Sequence, residues 1–196
     1  MSHKKLIAIT GGIGSGKSVV SRILCTMGYE VYDCDLQAKR LMHSSPIIRQ
    51  KLTAQFGEDI YTANGTINKQ LLSSIIFNDP KALATVNSIV HPVVKDDIIS
   101  WHNSRQEGIS FVETAILVEA GMQTMVDEVW NVTAPVETRI ARVMSRNATT
   151  RDKVIERINS QSTSMSDVQV PIKTIVNDGN TAVLPQIITL LSSLKD

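Results

Sequence analysis

Cysteine is scarce in this chain, neither charge is in excess, and no apolar run is long. With 2 cysteines in 196 residues, Cys25 and Cys34, the sequence cannot build a disulfide framework, and their spacing matches no metal-ligand pattern. Both are expected as thiols in a reduced compartment, with their side chains in the core. Lysine and arginine number 20 against 19 aspartates and glutamates, and the resulting net charge of +1 offers no polyanion-binding surface. Nucleic acid is therefore not expected as a partner. No stretch reaches the roughly twenty apolar residues that span a bilayer. The basic start Met1-Ser2-His3-Lys4-Lys5 precedes an apolar run that glycines interrupt at once, with no cleavage site behind it, so no secretory leader is expected. A cytoplasmic protein without membrane contact is the expectation, its oligomeric state left open by residue types alone. The length and an apolar content of 42% suit one substantial core, taken as a single domain over 1–196 with a small appendage.

What is abundant in one place is glycine. Gly11-Gly12-Ile13-Gly14-Ser15-Gly16-Lys17-Ser18 reads G-x-x-x-x-G-K-S and follows the apolar stretch Leu6-Ile7-Ala8-Ile9-Thr10. In a strand–loop–helix context this run turns successive backbone N–H groups onto phosphate oxygens. The helix behind it adds its positive end, Lys17 reaches the β and γ phosphates, and the Ser18 hydroxyl sits on Mg²⁺. A nucleoside triphosphate with Mg²⁺ is the first ligand to expect, bound by Gly12, Ile13, Gly14, Ser15, Gly16, Lys17 and Ser18.

Apolar runs alternate with helical patterns throughout, which predicts an α/β fold with a parallel sheet covered on both faces. Strands are expected over Lys5 to Thr10, Glu30 to Tyr32, Ile109 to Glu113, Val126 to Thr133 and Lys173 to Val176. Helices are expected over Ser18 to Met27, Leu36 to His43, Ile47 to Phe56, Lys69 to Phe77, Pro80 to Trp101, from Pro135 onward, Arg151 to Gln161 and Thr181 to Leu194. Asn64-Gly65 marks a tight turn, and His91-Pro92 a bend or a new helix start. The helical insertion over 36–105 stands apart as a candidate subdomain for the second substrate, since open sheets bind ligands at the carboxyl ends of their strands.

Phosphoryl transfer needs positioning, charge neutralisation and a group that orients the attacking hydroxyl. Asp35, just beyond the second strand, could take the proton of an acceptor alcohol or hold Mg²⁺ through water; the bland alternative is a cap on the helix starting at Leu36. Asp33 is read as structural. Arg139, Arg142 and Arg146 share one helical face, either as a lid closing on phosphate or as a solvated basic stripe, with Arg142 and Arg146 preferred for phosphate. Glu113 and Glu119 flank the third strand's exit, where either could orient metal-bound water or simply face solvent. His91 could touch the acceptor or be a structural histidine. Asn177-Asp178-Gly179 follows the fifth strand, and its backbone could line an adenine or form a plain turn.

Taken together, the phosphate loop, Val31-Tyr32-Asp33-Cys34-Asp35, Phe56-Gly57 with Asn64-Gly65-Thr66, His91-Pro92, Ile116-Leu117-Val118-Glu119, Arg142 with Arg146, Arg157 with Gln161, and Asn177 with Gly179 resemble the dephospho-coenzyme A kinase family in order and spacing. That resemblance covers nearly the whole chain. It implies a P-loop kinase three-layer fold with strand order 2-3-1-4-5, a helical substrate-binding insertion and a lid over 139–160. It also implies transfer of the ATP γ-phosphate, with Mg²⁺, to the ribose 3′-hydroxyl of dephospho-coenzyme A. On this basis Asp35, Lys17 and Arg142 are the catalytic candidates. Val19, Arg146, Asn177 and Gly179 join the nucleotide-binding set, and Asp35, His91 and Glu119 contact the acceptor. The chain departs from the family pattern at Val19, where threonine is common, at Ala115, where proline is usual, at Asn147, where an acid is frequent, and at Pro171-Ile172. Rival readings are another small-molecule kinase acting on a nucleoside monophosphate or a sugar acid, and an ATP-binding module without transfer activity. A guanine-reading switch is disfavoured, because Asn177-Asp178-Gly179-Asn180 does not supply an Asn-Lys-x-Asp element.

Overall fold

The computed structural model describes residues 4–105, 108–161 and 164–194, with the backbone alone at Asn78. Five strands, β1 (Lys5–Thr10), β2 (Val31–Asp33), β3 (Ile109–Glu113), β4 (Glu128–Thr133) and β5 (Ile172–Val176), form one parallel sheet in the order β2-β3-β1-β4-β5. This is the architecture and strand order that the resemblance implied. Register is fixed by pairs such as Ile7 with Phe111, Ile9 with Trp130 and Val132 with Ile175. β1 is central, and Leu6, Ile7, Ala8 and Ile9 are all at most 3% exposed, so both faces of the sheet are covered. That is why the strand reads as a continuous apolar run rather than an alternating one.

The chain divides into two compact units, Met1–Tyr32 with Gln106–Asp196, and Asp33–Arg105. In the first, α1 (Lys17–Thr26) and α8 (Val183–Ser193) pack Val20, Leu24, Ile187 and Leu191 on Ile7, Ile9, Phe111, Trp130 and Ile175. The aromatic rings of Phe111 and Trp130 meet at 5.1 Å, and the Trp130 indole donates to Glu128 at 2.7 Å. A second cluster joins α6 (Val136–Asn147) to α7 (Arg151–Ser160) through Ile140, Val143 and Val154, with Ile13, Ile155 and Ile158 against it.

The second unit is helical: α2 (Cys34–Ser44), α3 (Pro46–Phe56), a 3₁₀ turn (Glu58–Ile60), α4 (Lys69–Asn78) and α5 (Pro80–Asn103). Each α-helix opens on a side chain that accepts a leading amide: Asp33 from Leu36, Ser45 from Ile48, Asn68 from Leu71 and Asp79 from Lys81. Ile48, Leu52, Ile60 and Ile98 are fully buried. Asn64-Gly65 makes the expected tight turn, closed by Tyr61 bridging Ile67, with the Arg49 guanidinium donating to the Gly65 carbonyl and lying over the Tyr61 ring. Burial raises the Tyr61 hydroxyl above its ordinary range, against the pull of Arg49.

Three expectations are corrected. α5 runs unbroken through Pro92, so His91-Pro92 starts no new helix; apolar residues on both sides, Val86, Val90, Val94 and Ile98, are buried and hold the helix across the missing N–H. α2 begins at Cys34, two residues before the expected Leu36, because the capping carboxylate is that of Asp33 and not of Asp35. Cys25 is exposed although Cys34 is buried: the inward stripe of α1 is Val20, Ser21 and Leu24, and Cys25 falls past its edge.

Candidate active site in the phosphate loop

The loop leaves β1 at Thr10 and enters α1 through Gly16, which takes the N-cap position with φ 98° and no capping side chain. A Cβ on Gly16 would run into the Asn177 amide, and one on Gly14, at φ 78°, would lie 2.6 Å from the Arg139 carbonyl oxygen. Both positions therefore demand glycine for conformation and for space. α1 carries no acidic residue in its first turn, so neither a side chain nor a carboxylate competes for its leading amides.

The loop's amides fall into two groups. Ile13 N–H donates to Gln161 Oε1 at 2.8 Å, Ser15 N–H to the Gly12 carbonyl at 3.1 Å, and Val19 N–H to the Gly16 carbonyl at 2.9 Å. These three are committed within the protein. The N–H groups of Gly14, Gly16 and Ser18 have no acceptor among the described residues and are open to an anion. Lys17 Nζ donates to the Gly11 carbonyl at 2.9 Å across the same loop, and Ser18 is exposed.

Side chains from three later segments hold the loop in place. Arg139 Nε donates to the Ile13 carbonyl at 2.8 Å. Arg142 Nη1 donates to the Asn177 carbonyl at 2.9 Å and to Ser15 O at 3.4 Å, while Asn177 Nδ2 donates to Ser15 O at 2.9 Å. Gln161 Nε2 donates to the Ala115 carbonyl at 2.9 Å. Burial pulls the Arg139 guanidinium below its ordinary value, a shift from a starting point so high that it stays charged near neutrality. Ser15 Oγ is buried without a hydrogen-bond partner among the described residues.

The remaining sequence candidates divide. Arg142 is brought onto the loop, whereas Arg146, exposed near the end of α6, donates to Asn147 Oδ1 at 3.1 Å. Gly179 is exposed at φ 98° in a turn that Asp178 organises by accepting from the Asn180 and Thr181 amides, bonds that hold the Asp178 carboxyl below its usual range. Glu113 accepts from Ser21 Oγ at 2.6 Å, and Glu119 is exposed beyond β3. In the helical unit, Asp35 is exposed in the first turn of α2 and makes no hydrogen bond or ion pair among the described residues. His91 is half-buried in α5, and burial together with Lys95 lowers its pKa below the ordinary value.

The contacts of Arg139 and Gln161 with the loop backbone carry no distinct signal in the sequence. Arg139 carries the same spacing signal as Arg142, which ranks no one arginine first; Gln161 lies 148 positions from its partner Ile13, and no local pattern marks such a bond. For Asn177, backbone contacts were expected, whereas the side-chain amide does the bridging.

A phosphate loop between β1 and α1, on a parallel sheet of order 2-3-1-4-5, defines a P-loop kinase. A crystal structure from Thermus thermophilus is similar at a TM-score of 0.78 and 28% identity, covering 98% of this chain and 97% of that one. The dephospho-CoA kinase from Campylobacter jejuni, at 19% identity and a TM-score of 0.70 over 98% of each chain, shares the fold. A dephospho-CoA kinase of Porphyromonas gingivalis is 38% identical over 190 residues, covering 96% of this chain and 94% of its own, and the dephospho-CoA kinase family model matches residues 5–182. The chain belongs to the dephospho-CoA kinase family, a family of ATP-using phosphotransferases. Among the described residues, no helix is long and apolar enough to cross a membrane.

Proposed function

We propose that the protein transfers the γ-phosphoryl group of ATP to the ribose 3′-hydroxyl of dephospho-coenzyme A, releasing coenzyme A and ADP, the last step of coenzyme A synthesis. The observation that carries this reading is the trio of open amides at Gly14, Gly16 and Ser18 above an uncapped helix N-terminus, beside the Lys17 ammonium, in a chain of this family. Backbone donors fixed in advance stabilise phosphate charge without reorganising during reaction. Lys17 exchanges its contact with Gly11 O for β and γ oxygens. No group of three or more metal-ligating side chains exists among the described residues, which fits a Mg²⁺ carried on the triphosphate and touched by the Ser18 hydroxyl rather than a cage of protein ligands. Bound there, Mg²⁺ would neutralise charge on the phosphate oxygens.

The acceptor's 3′-oxygen forms the new bond to the γ phosphorus as the bond to the β–γ bridging oxygen breaks, and the hydroxyl proton passes to Asp35. Support for Asp35 comes from its place two residues beyond β2 and from Asp33 having taken the capping duty, which leaves the Asp35 carboxylate available. The helical segment over 36–105 holds the acceptor, with His91 and Glu119 as contacts. The segment over 139–160 acts as a lid, bringing Arg142 and Arg146 to phosphate, while the turn at Asn177 and Gly179 lines the adenine. The two free thiols, Cys25 and Cys34, fit a cytoplasmic location.

The test is to incubate the protein with Mg²⁺ and ATP against dephospho-coenzyme A, a nucleoside monophosphate, a sugar acid and no acceptor, reading ADP and product mass. ADP and phosphorylated product with dephospho-coenzyme A alone are expected. Preference for another acceptor, or no acceptor-dependent turnover, would overturn the reading.

A further inference from the structure

We propose that Arg139 and Gln161 are positioning residues that aim the Gly14 amide of the phosphate loop by gripping the two peptide planes of Ile13. The consequence for catalysis rests on the function proposed above; the mechanical part does not. A peptide unit is planar, so its C=O and N–H point in opposite directions and fixing one fixes the other. The Ile13 carbonyl and the Gly14 N–H belong to one such plane. Arg139 Nε holds that carbonyl at 2.8 Å, and so sets where the open Gly14 N–H points. The plane before it, carrying the Ile13 N–H, is held by Gln161 Oε1 at 2.8 Å.

Residue type matters at both ends of this grip. Gln161 must accept from Ile13 N–H, which can only donate, and give to the Ala115 carbonyl at 2.9 Å, which can only accept. A primary amide meets both demands; a carboxylate meets one and repels the other. Arg139 brings a positive charge to the carbonyl side of the plane, which polarises the peptide and strengthens its N–H as a donor. A third anchor is apolar, since the Ile13 side chain packs against the cluster of Ile140, Val143 and Val154 shared by α6 and α7. With glycine at 11, 12, 14 and 16, the loop has little stiffness of its own, and Ile13 is where the rest of the protein takes hold of it.

The intact protein is compared with Gln161→Leu and Arg139→Met by amide hydrogen exchange resolved at Ile13, by ADP calorimetry and by steady-state kinetics. In Gln161→Leu the Ile13 amide is expected to exchange at least about tenfold faster, through loss of its acceptor. In both variants the ADP dissociation constant is expected to rise and kcat to fall, each on the order of tenfold, because a misaimed amide displaces the phosphates it should align. If Gln161→Leu does not fold, Arg139→Met carries the same binding and kinetic expectation. A purely structural role would lower the melting temperature while leaving the ADP affinity and kcat of the folded variants at wild-type values, and that result overturns the proposal. Unchanged Ile13 exchange in folded Gln161→Leu overturns it as well. Absence of transfer to dephospho-coenzyme A by the unmodified protein would sink the function reading alone, with exchange and ADP affinity still deciding this one.

Discussion

Arg142 and Asn177 meet where α6 and the end of β5 converge on the phosphate loop: the guanidinium donates to the Asn177 carbonyl at 2.9 Å and lies 3.4 Å from Asn177 Oδ1, while the same side chain's Nδ2 donates to Ser15 O at 2.9 Å. Asn177 is 8% exposed, so its amide has little water to fall back on. The Ser15 carbonyl is thereby fixed in the stretch from which Gly16 opens α1. An arginine expected to act on phosphate thus also has a task within the protein itself.

Asn177→Asp tests that task. The substitution keeps the shape, removes the donor to Ser15 O and sets a carboxylate against a carbonyl, a buried mismatch worth about 1–3 kcal/mol. Urea unfolding is expected to show that loss, and calorimetry a weaker ADP affinity. A variant as stable as the parent would show that the bond contributes nothing.

Lys17→Ala separates fold from function. Its bond to Gly11 O at 2.9 Å is a half-buried hydrogen bond of about 1 kcal/mol, and losing it should shift the melting temperature little. Turnover should fall by about a hundredfold to a thousandfold or more through loss of charge at the β and γ phosphates. Near-native turnover would remove Lys17 from the site.

The sequence exposed the elements whose causes are local. β1 and β3 match their expected bounds because both are short apolar runs fenced by polar or glycine residues. β4 begins at Glu128 rather than Val126, because Asp127 is occupied with Leu6: its N–H donates to the Leu6 carbonyl at 2.8 Å, and its carboxylate accepts from the Leu6 N–H at 2.7 Å. Asp33, read as structural from the sequence, supplies the cap, while the cap that was the alternative reading of Asp35 is not made; two acids of equal propensity are told apart only by backbone geometry. The bonds of Gln161 and Asn177 to the loop, 148 and 162 positions away, arise only when the sheet has assembled, and no window of sequence contains them.

His91 gives a pH dependence with a definite sign. Burial first, and Lys95 second, favour the neutral imidazole in the folded protein, so its folded pKa lies below the unfolded value of about 6.5. Well above that value neither state holds the proton and His91 adds no slope. As pH falls through it, the unfolded chain binds a proton before the folded one, and stability drops until the folded pKa is passed. Thermal melts between about pH 7.5 and 5 should therefore fall less steeply for His91→Gln than for the parent. Equal slopes would show that His91 titrates alike in both states.

Asp35→Asn addresses the proposed proton acceptor. Because Asp33 supplies the cap through its bond to Leu36 N–H at 3.0 Å, removing the Asp35 charge should leave α2 and the melting temperature nearly unchanged. The phosphate loop lies in the other compact unit, and ATP affinity should also stay within experimental error of the parent. Only kcat should respond, falling by about a hundredfold to ten-thousandfold, the usual contribution of a general base. A variant that keeps near-native kcat would reassign Asp35 to the surface of α2, and one that loses ATP affinity in proportion to rate would place its carboxylate in nucleotide binding instead.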